Sequence, residues 1–223
     1  MDIDFTPFFQ KYESLVSMAD RLFEKIKKEY PQCVTCKIEC SDCCHALFDL
    51  SLIEAMYLNH HFNETFSGRK KEVLIEKANR ADRKVYQLKR KAYKDFQTGT
   101  GEDAILEQMA RERIRCPLLN DQEMCGLYPY RPITCRLYGI PTSIGGRSYT
   151  CGISGFKEGK KYPNVNIDTI QKQLYEISLE LAQTIKSKYR QIADILVPVS
   201  MAMLTTYDEA YLGMQEDDKK ENA

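Results

Sequence analysis

Cys33-Val-Thr-Cys36-Lys-Ile-Glu-Cys40-Ser-Asp-Cys43-Cys44-His45 places five thiols within twelve residues. The short gaps let a turning backbone bring thiolates around one cation: structural zinc sites use cysteine pairs two to four residues apart, and iron–sulfur loops use the same spacings. Cys116, Cys125, Cys135 and Cys151 follow in a second segment. A pair from each segment would close a four-thiolate site and staple the two regions together. Cys43 and Cys44 are adjacent, so their side chains diverge and one of them suits a second centre. Eight thiolates fit two mononuclear sites, or a cluster and a second metal. The ninth is spare, with Cys33 the first candidate for that place and Cys36 the other. Taken singly, each thiol of the second segment reads as a small buried hydrophobe. Beside the 33–44 cluster, metal ligation becomes the stronger reading.

Four thiolates around a divalent metal or an oxidised four-iron cluster leave about two negative charges, which are costly to bury without nearby cations. Arg115, Arg131 and Arg136 lie beside cysteines in sequence. They are expected to donate to sulfur, orienting ligands and tuning potential from outside the coordination sphere. His45 ends the ligand run and is expected to face solvent, whereas His60 and His61 find no partner in sequence and receive no function. No Ser-His-Asp order, HExxH, phosphate loop or dinucleotide fingerprint is present.

These residues need elements to position them. The 223 residues suit one domain or one with an appended helical segment, and a chain of this size does not need disulfides to rescue its core. Lys+Arg and Asp+Glu are 32 each, so no global charge recruits nucleic acid or anionic lipid. The start, Met1-Asp-Ile-Asp-Phe-Thr-Pro, lacks the order of a signal peptide. The best apolar run, Ile195 to Leu204, is short and broken by Pro198, so no membrane span is expected. A cytoplasmic protein with reduced thiols follows.

The expected fold is mainly α, with long helices packed around an irregular, Cys-rich metal-binding module containing at most short strands. Thr6 is placed as a cap and Pro7 at the first position of an N-terminal helix over 1–31 that stops at Pro31. The cysteine module spans 32–163, with helices at about 52–61, 70–97 and 102–114. Ser51-Leu-Ile-Glu54 forms a capping box, Leu50 and Ala55 a hydrophobic staple. Asn63 to Gly68 is a polar break, and Leu74, Ala78, Ala81, Val85, Leu88, Ala92 and Phe96 then trace the clearest apolar stripe. From Cys116 to Pro163, recurrent Gly and Pro permit only turns and short strands. In the C-terminal helical segment, 164–214, the box Asp168-Thr-Ile-Gln171 opens a long helix that buries residues from Ile170 to Ile192 and stops before Pro198. The tail, 215–223, is polar and expected to be disordered. Residues 69–95 hold eleven Lys/Arg against four Asp/Glu. This reads first as a solvated helix face, and second as a nucleic-acid or acidic-partner surface.

Cys40-x-x-Cys43-Cys44, Arg115-Cys-Pro-Leu-Leu119 and Cys125-Gly-Leu-Tyr-Pro-Tyr-Arg-Pro-Ile-Thr-Cys135-Arg together resemble the CxxCxxCC cysteine-cluster family, the YkgJ-type proteins described as candidate zinc- or iron-chelating proteins. The resemblance covers about residues 33–152. It implies that Cys36, Cys40, Cys43, Cys44, Cys116, Cys125, Cys135 and Cys151 bind metal. The family's first gap is usually two residues, whereas Cys36 to Cys40 has three, which makes Cys33 the alternative to Cys36. The family also includes flagellin lysine N-methylases, in which this module is thought to hold an iron–sulfur cluster near S-adenosylmethionine. Those proteins carry additional sequence that has no match here.

The function expected from all this is metal binding by the module. An iron–sulfur cluster is favoured over zinc because the Cys43-Cys44 crowding resembles a cluster loop, and electron transfer or redox sensing with an unknown redox or protein partner would follow. The alternatives are a cluster-dependent methyltransferase using S-adenosylmethionine, and a zinc-stapled interaction module presenting Tyr128, Tyr130 and Arg131.

Overall fold

The computed structural model describes residues 4–37 and 39–215. All of the expected tail except Gln215 lies outside them.

Helix α1 (Thr6–Glu29) buries Phe8, Tyr12, Ala19 and Ile26 along one stripe and ends before Pro31, as its spacing requires. Thr6 is not its cap. The helix begins at Thr6 itself, and Asp4 Oδ1 takes the Thr6 N–H at 2.9 Å, so the short acidic side chain satisfies the first orphan donor. The cysteine loop follows, with a 3₁₀ turn at Asp42–His45, and leads into strand β1 (Asp49–Ser51) and helix α2 (Leu52–Thr65).

Helix α2 is the centre of the molecule. The Ser51–Glu54 capping box is present, and Leu50 and Ala55 are both fully buried beside it. Leu52, Ile53, Met56 and Tyr57 face one apolar cluster, shared with α1, while Ala55, Leu58 and Phe62 face a second. A helix apolar on both sides belongs between two layers. It also runs four residues past the expected end, because Phe62 and Phe66 are buried against each other with ring centroids 5.6 Å apart and anchor the last turn. The polar break therefore shrinks to Phe66 and Ser67.

Helix α3 (Gly68–Gln97) buries Ala78, Ala81 and Val85, but Phe96, at the end of the expected stripe, is 57% exposed. Only the first half of that stripe finds a cover. Helix α4 (Glu102–Arg111) stops three residues short of expectation, because the chain then extends into a β-bridge between Arg113 and Ala46. The Gly/Pro-rich stretch holds a 3₁₀ turn at Tyr128–Tyr130, one short helix α5 (Ile133–Leu137) and strands β2 (Thr142–Ile144) and β3 (Arg147–Tyr149). Strand β2 pairs antiparallel with β3 and parallel with β4 (Val165–Asn166).

Helix α6 (Ile167–Thr184) is capped by Asn166, whose Oδ1 takes the Thr169 N–H at 3.1 Å. Asp168 instead accepts from Gly145 N at 2.9 Å and ties the β2–β3 turn to the helix start. The helix ends at Thr184 rather than near Pro198, with Lys186 in the left-handed region (φ 50°) reversing the chain. Ile192 is buried as expected, from a separate 3₁₀ turn (Ile192–Asp194). Strand β5 (Leu196–Pro198) then pairs antiparallel with β1, Leu50 opposite Val197. Helices α7 (Val199–Leu204) and α8 (Glu209–Leu212) are the last elements of the described residues, α7 lying on α2 and α3. The fold is mainly α with short strands. Among the described residues, no helix is long and apolar enough to cross a membrane.

Candidate metal centre

The two cysteine segments are zipped together by backbone. Cys116 N donates to Cys44 O at 2.7 Å and Ile114 N to His45 O at 3.0 Å, beside the Ala46–Arg113 bridge. Cys125 is returned to the same place by a tight loop: Asn120 Oδ1 takes the N–H groups of Gln122 and Met124, both at 2.9 Å, and Leu119 bridges Cys125. Cys135 sits on α5, whose first N–H, on Ile133, donates to Glu54 Oε1 at 3.2 Å. Buried Glu54 thus caps α2 with one oxygen and positions the Cys135 helix with the other.

Cys43, Cys44, Cys116, Cys125 and Cys135 line one cavity, walled by Leu58, Val85 and Val199 and flanked by Arg131. Four of the thiols interact in turn, Cys135 with Cys43, Cys43 with Cys44 and Cys44 with Cys125, and Cys116 acts on Cys44 through charge. The S–H groups of Cys135 and Cys44, aided by the Arg131 charge, hold the Cys43 thiol down to about 3. Cys125 is lowered because it accepts from Cys44. The donors move the other way. Cys44 is raised by donating to Cys125 and Cys43, Cys135 is raised well above its ordinary value by donating to Cys43, and burial pushes Cys116 to about 12. Thiols held down by S–H donors on their neighbours are the pattern of sulfur ligands between which a cation would replace protons.

A second group lies next to the first. Cys36 is pushed up to about 11 by burial and by the nearby Cys40 and Cys43, so Cys43 stands between the two groups. Cys151 donates to Asp42 Oδ2 at 3.2 Å and is raised to about 12, first by burial. Cys40 and Asp42 share an open hollow with His45, whose Nδ1 lies 3.0 Å from Ser41 O. Cys33 is buried in the α1–α2 apolar cluster, its carbonyl accepting from Gly155 N at 2.8 Å. Gly155 has no room for a Cβ, which would lie 2.9 Å from Gln32 O.

The three arginines differ in placement. Arg131 lies over the Tyr128 ring at 3.9 Å and acts on Cys43 and Cys125 through its charge. Arg115 pairs with Glu123 Oε1 and Asn120 O, both at 2.8 Å, bracing the loop that carries Cys125. Arg136 is buried and donates to Arg131 O at 2.9 Å, to Asp20 Oδ2 at 2.6 Å and to Pro129 O, bracing the turn before α5. Sequence reasoning missed Asp42 and the second role of Glu54, since neither sits at a ligand spacing.

Thiols in this number suit zinc and iron alike. The arrangement defines a helical protein carrying a thiol-rich chelating module. The model of the CxxCxxCC family, described as "Putative zinc- or iron-chelating domain", matches residues 32–152, more than half of the chain, and the protein belongs to that family. No curated protein and no solved structure matches.

Glu54 supplies a prediction independent of metal identity. Burial raises its carboxyl above the ordinary value of 4.5, so between those two values the folded chain holds more proton than the unfolded one. Stability from this group therefore falls as pH rises through that window. Glu54→Gln abolishes the slope and costs about 1 kcal/mol through one mismatched hydrogen bond. Urea unfolding of both proteins from pH 4.5 to 7 should show the wild-type advantage shrinking with rising pH.

Proposed function

We propose that the module is an iron–sulfur protein centre serving electron transfer or redox sensing, with cysteines as ligands rather than nucleophiles. Cys43, Cys44, Cys116, Cys125 and Cys135 would supply the cluster, and Cys36, Cys40 and Cys151 the ligands of an adjoining metal. The observation that carries this is the spacing of the sulfurs. A tetrahedral zinc with Zn–S bonds of ~2.3 Å sets its sulfurs about 3.8 Å apart on every edge. Among the described residues, no three thiols have sulfurs all within 4.8 Å of one another. Thiols spread beyond that edge suit a multinuclear cluster, whose ligands sit on separate irons. The apolar cavity wall and the Arg131 charge supply two of the levers that set a cluster's potential, burial and nearby positive charge.

Protein purified without oxygen, from cells not overloaded with any metal, should be brown and contain iron and acid-labile sulfide in matching amounts. Colourless protein with one or two zinc per chain would overturn the redox reading and make the module a structural staple. In either case, losing Cys116 or Cys125 should lower the bound metal more than losing Cys33.

A further inference from the structure

The last two turns of α2 carry metal-capable side chains that belong to neither thiol group. His60 and His61, without a partner in the sequence reading, both face Glu64: His60 Nε2 lies 3.3 Å from Oε1 and His61 Nδ1 lies 3.0 Å from Oε2. We propose that His60, His61 and Glu64 form a binding site for a first-row divalent cation such as zinc, separate from the cysteine centres.

The donor atoms already lie at coordination distances. All three are within 4.8 Å of one another, and among the described residues they are the group of three for which this holds. Metal–ligand bonds of 2.0–2.1 Å place tetrahedral ligand atoms about 3.3 Å apart. The two nitrogen–oxygen separations, one to each Glu64 oxygen, are close to that edge.

The rings are also held in place, which a surface His/Glu pairing does not require. Tyr130 stacks on His61 with centroids 3.7 Å apart and planes 9° from parallel, and Tyr57 meets the same ring edge-on at 4.5 Å. Phe9 of α1 lies against His60 at 5.3 Å. Tyr57 is itself fixed by donating to Glu13 Oε1 at 2.9 Å. Fixing the imidazoles in this way removes the rotamer entropy that binding would otherwise cost.

The donor set also selects the class of ion. Two imidazoles and a carboxylate suit zinc, nickel or copper(II), whereas calcium and magnesium prefer oxygen alone. The side chains of His60 and Glu64 are 46% and 57% exposed, so the ion enters from solvent and water completes its shell. Three protein ligands with an open position distinguish such a site from a closed structural one.

The test uses the full chain with its thiol-bound metal in place. Zinc is added by equilibrium dialysis, with thiol-bound metal and sulfide measured in parallel. Wild type is expected to take up one further zinc per chain, shifting the imidazole nitrogen resonances of both histidines. His60→Ala and Glu64→Gln should each weaken that uptake at least tenfold and leave the thiol-bound metal unchanged. Both side chains are solvent-exposed, so the variants retain the fold, which circular dichroism verifies. No further zinc in the wild type, or the same uptake in both variants, overturns the site without touching the cysteine reading.

Discussion

Removing the thiol-bound metal is expected to unfold residues 113–166 while the helices around α2 persist. Over this stretch the regular structure is a three-residue 3₁₀ turn, a five-residue helix, strands of two or three residues and single β-bridges. Helices this short are not stable alone. Its buried apolar side chains, Leu118, Leu119, Leu127, Ile133, Leu137, Ile140, Phe156 and Val165, hang on short elements and loops that the cysteines tie down. A structural metal site can contribute ~10–16 kcal/mol, as much as the ~5–15 kcal/mol net stability of a whole domain. Trypsin offers a direct readout, because Arg113, Arg115, Arg136, Arg147 and Lys157 all lie in the stretch and none precedes a proline. After chelation, cleavage at these positions should accelerate by orders of magnitude, with fragments containing α1 and α2 surviving longest. Equal protease resistance of metal-free and metal-loaded chains would defeat the idea that metal orders the module.

The reasons that α1, the α2 capping box and the Leu50–Ala55 staple were legible in the sequence are local: each is set by residues within a few positions of each other. The inward face of α6 was legible for the same reason. Its true end was not, because the reversal at Lys186 is braced by the Ser187–Met214 bridge and the pairing of β5 with β1 joins residues more than 140 positions apart. The same limit explains the half-bared stripe of α3, since periodicity marks an apolar face without saying how far α7 will cover it. The cysteine inventory follows from spacing alone. Its division into five thiols around one cavity and a second group does not, because that division is made by the bridge to Arg113 and by the placement of α5 on Glu54. His60, His61 and Glu64 did carry a signal. Their three- and four-residue offsets are helix-face spacings, and they fell unread because the helix was expected to end at His61.

Gly139→Ala is expected to displace Cys36 and empty the second thiol group while the first keeps its metal. A Cβ at Gly139 would fall inside the van der Waals envelope of Cys36 Sγ, with Phe23 Cε2 3.4 Å away on the other side. Gly139 does not have a positive φ, so the backbone itself accepts alanine and the whole effect is one of space. In an open position that exchange would stabilise by about 0.4–1 kcal/mol through the unfolded chain. Here overpacking reverses the sign, at about 1–3 kcal/mol before any loss of metal. Gly152→Ala is the matched control: it adjoins Cys151, has open space within 4 Å and a φ outside the positive region. It should leave metal content unchanged and raise stability by about 0.4–1 kcal/mol. Adding Cys36→Ala to Gly139→Ala relieves the clash, so urea unfolding should recover part of the packing loss while the metal of the second group stays absent. That non-additivity separates crowding of Cys36 from a general disturbance of the loop. Full metal content in Gly139→Ala would show that Cys36 is not a ligand and would return that role to Cys33.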